Sequence, residues 1–395
     1  MEFFSTLQDH SEVKLSILRK YTEARIRKIC LNPYGENKCL MVDGFAGAGI
    51  YNDSKKGSPL ILVEVAKEFV NQSRQHPNWK KPEIKIILNE YKKETYEKLK
   101  TNLVKIGFFE NENIQFSSAE IFSSDDYDNI EIICFKLTFE KLISSVLYVP
   151  GFSLIPSFCF VDPFGFSTTP FGLIQKYLEN NNAEIFFNFM YEETNRFINH
   201  PETNIRSKIA SNFGLPSLEE LQSKINAKKP IERKKIIVET YEKQILENTQ
   251  ALFIRNFDVK KNNKTKMILF HMTKNLHGLK LMKDIMWKHD DTGTFTYYGK
   301  QKEFVQLSFD DILNNKSDKQ CHVERLAEII KSRFEGYSNI SIEIMEEFVA
   351  LSTIYPCSGF LKNALKILEK NGDLYDIKGR KKALSYPPQS HMNFK

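Results

Sequence analysis

Lys38 to Tyr51 reads K-C-L-M-V-D-G-F-A-G-A-G-I-Y, and this stretch decides the fold. A short apolar run ends at Asp43, and three glycines follow closely at Gly44, Gly47 and Gly49. In doubly wound α/β folds, a buried strand that runs into a glycine-rich turn brings the backbone close to a nucleotide-like ligand. The pattern therefore predicts a ligand loop after the first strand of a parallel sheet. A glycine turn that only changes the chain direction is the alternative.

An acidic residue also follows the second predicted strand. Residues 84–88 are apolar and lead into Asn89-Glu90. A carboxylate at this place can accept two O–H hydrogen bonds from the ribose of a bound cofactor. The spacing of the first loop, D-x-x-x-G-x-G, resembles that of S-adenosylmethionine (SAM) methyltransferases and not the G-x-G-x-x-G of dinucleotide-binding domains. An NAD-dependent oxidoreductase is therefore disfavoured.

Apolar strands alternate with amphipathic helices along the first half of the chain. This alternation predicts a doubly wound, mostly parallel α/β sheet with right-handed crossovers. Ser58 is the expected N-cap of the helix beside the ligand loop, with Pro59 at its first position. The third strand is expected to run into Ser118-Ala119, where the adenine ring of the cofactor would lie. The predicted strands are 38–42, 84–88, 113–117, 157–161 and 184–189, and the predicted helices are 9–32, 60–70 and 92–106, with a helix or an extended connection at 142–149.

A second motif, F-V-D-P-F-G, follows the fourth strand and contains Asp162. It resembles the D-P-P-Y motif of amino-methyltransferases, in which the acid and the proline carbonyl accept hydrogen bonds from the target amine and an aromatic ring stacks on an extruded base. The resemblance implies a catalytic role for Asp162 and Pro163, with Phe164 or Phe166 as the stacking ring. Gly165 takes the place of the final aromatic residue. An Asp-Pro turn without catalytic function is the alternative.

The composition indicates a globular protein. Of the 395 residues, 41% are hydrophobic and 27% are charged, and the formal net charge of +6 is compatible with a nucleic-acid partner. The sequence has no stretch of the roughly 18 apolar residues that a membrane span requires. The first ten residues lack the basic and apolar regions of a signal peptide, so we expect a cytoplasmic location. The six cysteines form no C-x-x-C, which disfavours a metal site or a disulfide framework.

The second half of the chain is expected to complete the sheet. Residues from about 195 to 250 are polar, lysine-rich and helical in pattern, which predicts a helical insertion. Two strands, 252–259 and 267–272, then flank a Lys-Asn-Asn-Lys turn. An antiparallel hairpin that closes a parallel sheet is typical of the methyltransferase fold. We therefore expect the α/β domain to cover residues 1–315.

Residues 316–395 are expected to form a winged-helix-like C-terminal module. Three predicted helices end with a recognition helix at 358–371, and a basic extended segment follows at 373–382. The last residues, from 386 onward, are expected to be a loose tail. A small helical cap that makes protein contacts is the alternative.

Five segments of the chain resemble the three-Cys-motif partner (TcmP) family. The resemblance covers roughly residues 9–290 and implies a partner protein, radical-SAM-like, with three cysteines. It does not imply a biochemical activity. The segments are D-G-F-A-G-A-G-I-Y from Asp43, K-G-S-P-L-I from Lys56, N-E from Asn89, F-V-D-P-F-G-F from Phe160 and F-H-M-T-K-N-L-H-G-L-K-L-M-K-D-I-M-W from Phe270.

Ribosomal-RNA adenine-N6 methyltransferases with D-T-H-A-G-A-G-R-Y, G-S-P-L and D-P-P-Y are similar in motif order. This resemblance implies SAM as cofactor, and it places His10 and Lys14, four residues apart on one helix face, near the cofactor or the substrate. No metal ligand is predicted. The candidate catalytic residues are Asp162, Pro163 and Phe164, and the candidate cofactor-binding residues are His10, Lys14, Asp43, Gly44, Phe45, Ala46, Gly47, Gly49, Ser58, Glu90, Ser118 and Ala119.

The leading hypothesis is a SAM-dependent methyltransferase that acts on an amine of a nucleic-acid base and works with the three-Cys-motif partner. The alternative is an adaptor with the methyltransferase fold but without catalysis, which binds a nucleic-acid or protein substrate for that partner. The altered D-P-F-G motif favours the adaptor, whereas the order of Asp43, Glu90 and Asp162 along the predicted sheet favours the enzyme.

Overall fold

The chain forms two units, each with its own buried core, in a computed structural model. Unit 1 comprises residues 1–275 and unit 2 comprises residues 276–395. The boundary predicted at 315–316 falls among residues that are not described and stays a prediction. None of the described helices is both long and apolar enough to cross a membrane. The structure describes residues 9–35, 37–111, 119–146, 155–290, 293–298 and 318–395.

Unit 1 contains one large sheet with helices on its faces. The strands are β1 (Lys38–Asp43), β2 (Glu83–Asn89), β3 (Phe109–Glu110), β4 (Ala119–Ser123), β5 (Ile130–Phe135), β6 (Ser157–Val161), β7 (Ala183–Phe189), β8 (Phe253–Lys261) and β9 (Lys264–Thr273). Within unit 1 the described strands neighbour each other in the order β8-β9-β7-β6-β1-β2-β5-β4-β3. The helices are α1 (Asp9–Cys30), α2 (Ser58–Arg74), α3 (Lys93–Lys105), α4 (Phe139–Val146), α5 (Phe171–Leu178), α6 (Tyr191–Phe197), α7 (Thr203–Phe213), α8 (Glu219–Ile225) and α9 (Pro230–Asn248).

The middle of the sheet is parallel. Strands β5, β2, β1, β6 and β7 run in one direction, and β9 then pairs antiparallel with β7 and with β8. The β8–β9 hairpin turns at Asn262-Asn263, both with positive φ (51° and 60°), as two-residue hairpin loops require. The predicted class, a doubly wound and mostly parallel α/β sheet closed by an antiparallel hairpin, is confirmed. Helices α7 to α9 lie within the helical insertion predicted at about 195–250, and α6 begins shortly before it.

The third parallel strand differs from the prediction. The predicted strand 113–117 lies outside the described residues, and the place beside β2 is taken by β5, which the sequence analysis did not identify. Its sequence, I-E-I-I-C-F, is buried except at Glu131, as expected for a strand covered on both faces. Strand β4 pairs antiparallel with β5 on its outer side.

The start of α2 also differs from the prediction. Gly57 is the N-cap, with no side-chain cap hydrogen bond, and Ser58 is the first helical residue, followed by Pro59. The apolar face of this helix, including Leu62, Val63 and Ala66, is fully buried. Ser58 is therefore the first residue of α2, the helix that follows the glycine loop after β1, and it does not act as the N-cap.

The carboxyl ends of β1, β2, β5 and β6 lie at one edge of the sheet. Strand β1 has β2 on one side and β6 on the other, so the strand order reverses between β1 and β6. Open α/β sheets bind ligands in the crevice at such a switch point. The loops that follow these strands are therefore where a functional site is expected.

Unit 2 combines helices with a small antiparallel sheet, in which β13 lies between β11 and β12. The tail predicted to be loose is ordered, because β13 completes this sheet and Tyr386, Met392 and Phe394 are buried in the core of the unit. The elements are α10 (Leu276–Trp287), β10 (Thr296–Tyr297), α11 (Asp318–Phe334), β11 (Ile340–Ser341), α12 (Ile342–Ser352), α13 (Leu361–Lys370), β12 (Leu374–Lys378) and β13 (His391–Phe394).

Candidate functional site

The glycine loop after β1 is tied to both neighbouring strands. The Gly44 amide donates to the Phe160 carbonyl of β6 at 3.0 Å, and the Ala46 amide donates to the Asn89 carbonyl of β2 at 2.8 Å. The Asn89 side chain donates to the carbonyls of Gly44 (3.1 Å) and Leu137 (3.0 Å), and its Oδ1 accepts from the Leu137 amide (3.1 Å). Asn89 thus links the loops after β1, β2 and β5.

Two glycines of this loop are required by its geometry. A Cβ added at Gly44 would lie 2.7 Å from the Phe139 ring, so no side chain fits there. Gly49 has a φ of +85°, which residues with a side chain rarely adopt. The Phe45 ring stacks on Phe139 with ring centres 5.1 Å apart. The loop therefore packs closely on its surroundings and places an aromatic pair beside its first glycine.

Glu90 holds the same loop from β2. Its side chain is buried, and its two oxygens accept from the amides of Gly47 (3.1 Å) and Lys92 (2.8 Å). Burial raises the pKa of Glu90, whereas the two amide donors lower it. Each carboxylate oxygen can accept a second hydrogen bond. Glu90 can therefore still receive two hydroxyl groups of a ligand.

A cavity of about 360 Å³ opens at this edge of the sheet. Its walls come from the ends of β1, β2, β5 and β6, and they combine aromatic rings with few polar groups, as small-molecule sites commonly do. The residues that line it are Gly44, Phe45, Asn89, Glu90, Tyr91, Lys92, Leu137, Phe139, Phe164 and Thr168.

Asp43 is fully buried at the end of β1. Its Oδ1 accepts from the Phe45 amide at 3.1 Å, but its Oδ2 has no hydrogen-bond partner within the described part of the chain. Burial, together with the charges of Asp162 and Glu90, raises the pKa of Asp43 to about 7, against the opposing effect of the nearby Ser58 hydroxyl. A buried oxygen without a partner is a candidate acceptor for a ligand donor.

Asp162 follows β6 and is held from two sides. Its Oδ2 accepts from the Lys14 ammonium at 2.5 Å, and its Oδ1 accepts from the Asn188 amide at 2.7 Å. The Lys14 and Asn188 side chains are buried, whereas that of Asp162 keeps 21% of its surface exposed. Burial and the charge of Asp162 raise the pKa of Tyr51 above its ordinary value. Asp162 is thus a fixed carboxylate that still faces solvent.

The two residues after Asp162 point to different places. Phe164 is 52% exposed and lines the cavity, with the Lys92 ammonium 5.7 Å from its ring centre. Pro163 instead lines a separate void of about 10 Å³ together with Phe166. The Phe166 ring packs against Phe197, so Phe164 is the aromatic residue available for stacking at the cavity.

The structure brings most of the predicted site residues together at the carboxyl edge. Lys14 contacts Asp162 and lies on α1, as predicted, but the side chain of His10 on the same helix is outside the described part. Ser118 also lies outside it. Ala119 begins β4 opposite Phe135 and does not line the cavity. The residues at the edge are Lys14, Asp43, Gly44, Phe45, Ala46, Gly47, Gly49, Ser58, Glu90, Asp162 and Phe164.

Three contributors were not predicted. Leu137 and Phe139 follow β5 and line the cavity where the residues around Ser118 had been expected. Asn188 is an amide within the otherwise apolar end of β7, F-F-N-F, and this polar residue in a buried strand was the signal that could have identified it. No such signal marks Leu137, because its importance follows from the position of β5 in the sheet.

Comparisons with known proteins found only distant structural similarity. No family model matches the chain, and no curated protein matches it. The O-methyltransferase TomG from Streptomyces achromogenes, involved in tomaymycin synthesis and solved with SAM, is 9% identical, with 66% of this chain and 80% of that chain covered and a TM-score of 0.33. Cofactor-bound Rv0187 from MTB is 10% identical, with 66% and 80% covered and a TM-score of 0.31. Loganic acid methyltransferase with SAH is 10% identical, with 71% and 82% covered and a TM-score of 0.28. At these values the function has to be argued from the site of this chain alone.

Proposed function

We propose that unit 1 binds SAM in the cavity at the carboxyl edge of its sheet and transfers the methyl group to an amine of a nucleic-acid base. One observation carries the proposal. Three carboxylates, Asp43 after β1, Glu90 after β2 and Asp162 after β6, converge at the switch point beside a cavity of about 360 Å³. Each has a different environment, and each environment suits a different task.

The residues around the cavity fit this cofactor. Glu90 keeps an acceptor on each oxygen for the two ribose hydroxyls, and the stacked pair Phe45 and Phe139 offers an apolar wall for the adenine. Gly44 and Phe45, at the start of the glycine loop, line this cavity. Asp43 Oδ2 is a buried acceptor that a ligand donor can satisfy.

The chemistry requires an amine with its lone pair free and directed at the methyl group. SAM supplies that group on a positively charged sulfur. The Asp162 carboxylate can accept a hydrogen bond from the target amine, which keeps the nitrogen lone pair available. Lys14 and Asn188 fix the direction of both carboxylate oxygens, so the rate would come from positioning and from a preorganised charge and would need no covalent intermediate.

Phe164 supports a flat substrate. Its exposed ring lies at the cavity beside the Lys92 ammonium, so a base could stack on the ring while a phosphate meets the cation. Such a site can reach a base only after that base has left the base stack of the nucleic acid. We also propose, on the resemblance to the TcmP family, that a three-Cys-motif, radical-SAM-like protein acts on the same substrate.

A specific observation supports an adaptor without catalysis as the second candidate. Gly165 replaces the final aromatic residue of the motif, and the Lys14 ammonium already occupies Asp162 Oδ2. If a substrate amine cannot share this carboxylate with Lys14, unit 1 would bind cofactor or substrate without transfer and would present it to the partner.

The first test is calorimetry of SAM and S-adenosylhomocysteine on the purified chain. We expect micromolar binding that is lost in Gly47→Arg, because Gly47 has a φ of +64° that residues with a side chain rarely adopt. We expect binding to weaken at least about tenfold in Glu90→Ala, which removes two ribose acceptors. No binding by the wild-type chain at millimolar ligand would contradict the cofactor assignment.

The second test separates the enzyme from the adaptor. Transfer of labelled methyl groups to total cellular nucleic acid, with and without the partner, is compared between the wild type and Asp162→Asn. We expect the variant to lose about 100-fold or more in rate while its SAM affinity changes less than about threefold. Equal rates in both would exclude Asp162 from catalysis, and SAM binding without transfer by the wild type would favour the adaptor.

A further inference from the structure

The C-terminal part of unit 2 presents a basic helix beside a basic connection. Helices α11, α12 and α13 and strands β11, β12 and β13 follow the order helix, strand, helix, helix, strand, strand. Helix α13 is strongly amphipathic. Its inner face, with Leu361, Ala364, Leu365 and Leu368, is buried in the core of the unit. Its outer face is therefore free of any role in that core.

Lysines occupy the outer face of α13 at regular spacing. Lys362, Lys366 and Lys370 are four residues apart, which places them on one side of the helix about 6 Å from one another along its axis. Lys362 and Lys370 are exposed and Lys366 is half-buried. None of the three has an ion-pair partner within residues that the structure describes. A row of like charges on one helix face produces a positive potential that attracts an anion.

The one acidic residue of α13 does not neutralise this row. Glu369 accepts two hydrogen bonds from the Arg380 guanidinium (2.6 and 2.8 Å) and one from the Tyr386 hydroxyl (2.6 Å). The hydrogen bonds from Arg380 lower the pKa of Glu369, so it is ionised and already matched in charge. The same contacts hold the β12–β13 connection against the helix.

The connection adds two more lysines. Lys381 and Lys382 are exposed and, like the row on α13, have no ion-pair partner in the described structure. The other acidic residues nearby are paired, since Asp373 bonds Lys331 at 2.8 Å and Asp376 bonds Lys378 at 3.2 Å. These five positive charges form one surface, here called the lysine surface. It consists of Lys362, Lys366, Lys370, Lys381 and Lys382.

We propose that the lysine surface binds double-stranded DNA, with α13 in the major groove and the β12–β13 connection on the backbone, as in a winged helix. The major groove of B-form DNA admits an α-helix, whereas the major groove of A-form RNA is too deep and narrow for its side chains to read. The five positively charged lysine side chains can pair with phosphates of the DNA backbone. This inference rests on the proposed function, because it narrows the nucleic-acid substrate of that function to DNA. The lysine surface itself belongs to unit 2.

The test is fluorescence anisotropy of the full chain with a labelled 20-base-pair DNA of mixed sequence, the same duplex as RNA, and the single strand. We expect the DNA duplex to bind most tightly, with affinity falling as salt rises at a logarithmic slope of about −4. In the double variant Lys366→Glu with Lys382→Glu, we expect affinity to fall about tenfold or more and the slope to become shallower by about 2.

The matched control is Lys80→Glu with Lys208→Glu, two exposed lysines of unit 1 with the same change in total charge. The control should keep DNA affinity within about threefold of the wild type. Preference for the RNA duplex or the single strand, equal losses in both double variants, or no DNA binding at 50 mM salt would each overturn the proposal. SAM binding, measured on the same proteins, should be unchanged in all of them, so a failed SAM site and a failed DNA surface are distinguishable.

Discussion

The two edges of the sheet in unit 1 treat a buried carboxylate in opposite ways. At the amino edge, Glu184 of β7 accepts from the Tyr21 hydroxyl (2.5 Å), the Arg25 guanidinium (3.2 Å) and the Thr273 hydroxyl (3.1 Å), and His271 lies 3.6 Å away. Burial alone would raise the pKa of Glu184, but Arg25, His271 and Tyr21 outweigh it and hold the pKa well below its usual range.

At the carboxyl edge the balance is reversed. Burial raises the pKa of Asp43 to about 7 and that of Glu90 above its usual value, and Asp43 Oδ2 has no partner within the described residues. A carboxylate whose charge is fully matched contributes to stability, whereas a buried carboxylate oxygen without a partner costs stability and is a candidate acceptor for a ligand. The contrast between these carboxylates favours a structural role for Glu184 and a ligand-binding role for the carboxyl edge.

The largest expected effect comes from breaking the amino-edge network. Glu184→Ala leaves the Arg25 guanidinium buried without its carboxylate, and we expect a loss of about 3–5 kcal/mol in the free energy of unfolding by urea at pH 7. Because the pKa of Glu184 is lowered by folding, its contribution is present at neutral pH and is lost as the pH falls below about 4. The variant should therefore show a weaker acid dependence than the wild type.

The control for this variant is Glu131→Ala on β5. Glu131 pairs with Lys85 at 2.8 Å, but both side chains are more than one-third exposed, so we expect a loss of less than about 1 kcal/mol. Similar losses in the two variants would mean that the buried network at Glu184 has no special weight, and the contrast between the edges would disappear.

A smaller effect of opposite sign is expected at the carboxyl edge. Between about pH 4 and pH 7 the folded chain keeps a proton on Asp43 that the unfolded chain releases, so stability falls as the pH rises through this window. Asp43→Asn removes this titration and keeps the acceptor for the Phe45 amide. We expect its stability relative to the wild type to be higher at pH 8 than at pH 4 by about 3–4 kcal/mol, because each pKa unit corresponds to about 1.4 kcal/mol.

Comparing the variant at two pH values cancels the packing change, which does not depend on pH. Urea unfolding at pH 4 and pH 8 gives the difference directly. If it is zero, the carboxylate of Asp43 is either solvated or matched in charge, and the carboxyl edge would be no different from the amino edge in this respect.

The sequence predicted the carboxyl edge well because its signals are local. Asp43, Glu90 and Asp162 each follow an apolar strand directly, and parallel strands necessarily bring such residues to one edge. Lys14 was predicted near the cofactor or the substrate from a resemblance, and the structure places its ammonium on Asp162. The closing hairpin was predicted from its Asn-Asn turn, whose left-handed conformation these residues tolerate.

The errors came from pairings between distant parts of the chain. Strand β5 owes its place beside β2 to long-range hydrogen bonds, so the sequence did not predict that Leu137 and Phe139, which follow β5, line the cavity. The ordered tail has the same cause, because β13 is stable only through pairing with β11 and β12. The Glu184 network was not predicted either, since its members come from distant parts of the chain, with Tyr21 and Glu184 alone 163 residues apart.

The smallest effect expected concerns the open side of the carboxyl edge. Phe164→Leu keeps apolar bulk at the cavity but removes the ring on which a base can stack, so binding of a nucleic-acid substrate should weaken about three- to tenfold. SAM affinity and urea stability should stay within error. The control is Phe109→Leu, a similarly exposed ring (59%) on β3 that does not line the cavity. If both variants weaken substrate binding alike, the Phe164 ring has no specific role in stacking. If only SAM binding falls in Phe164→Leu, the exposed ring belongs to the cofactor wall and the substrate must approach from another side of Asp162.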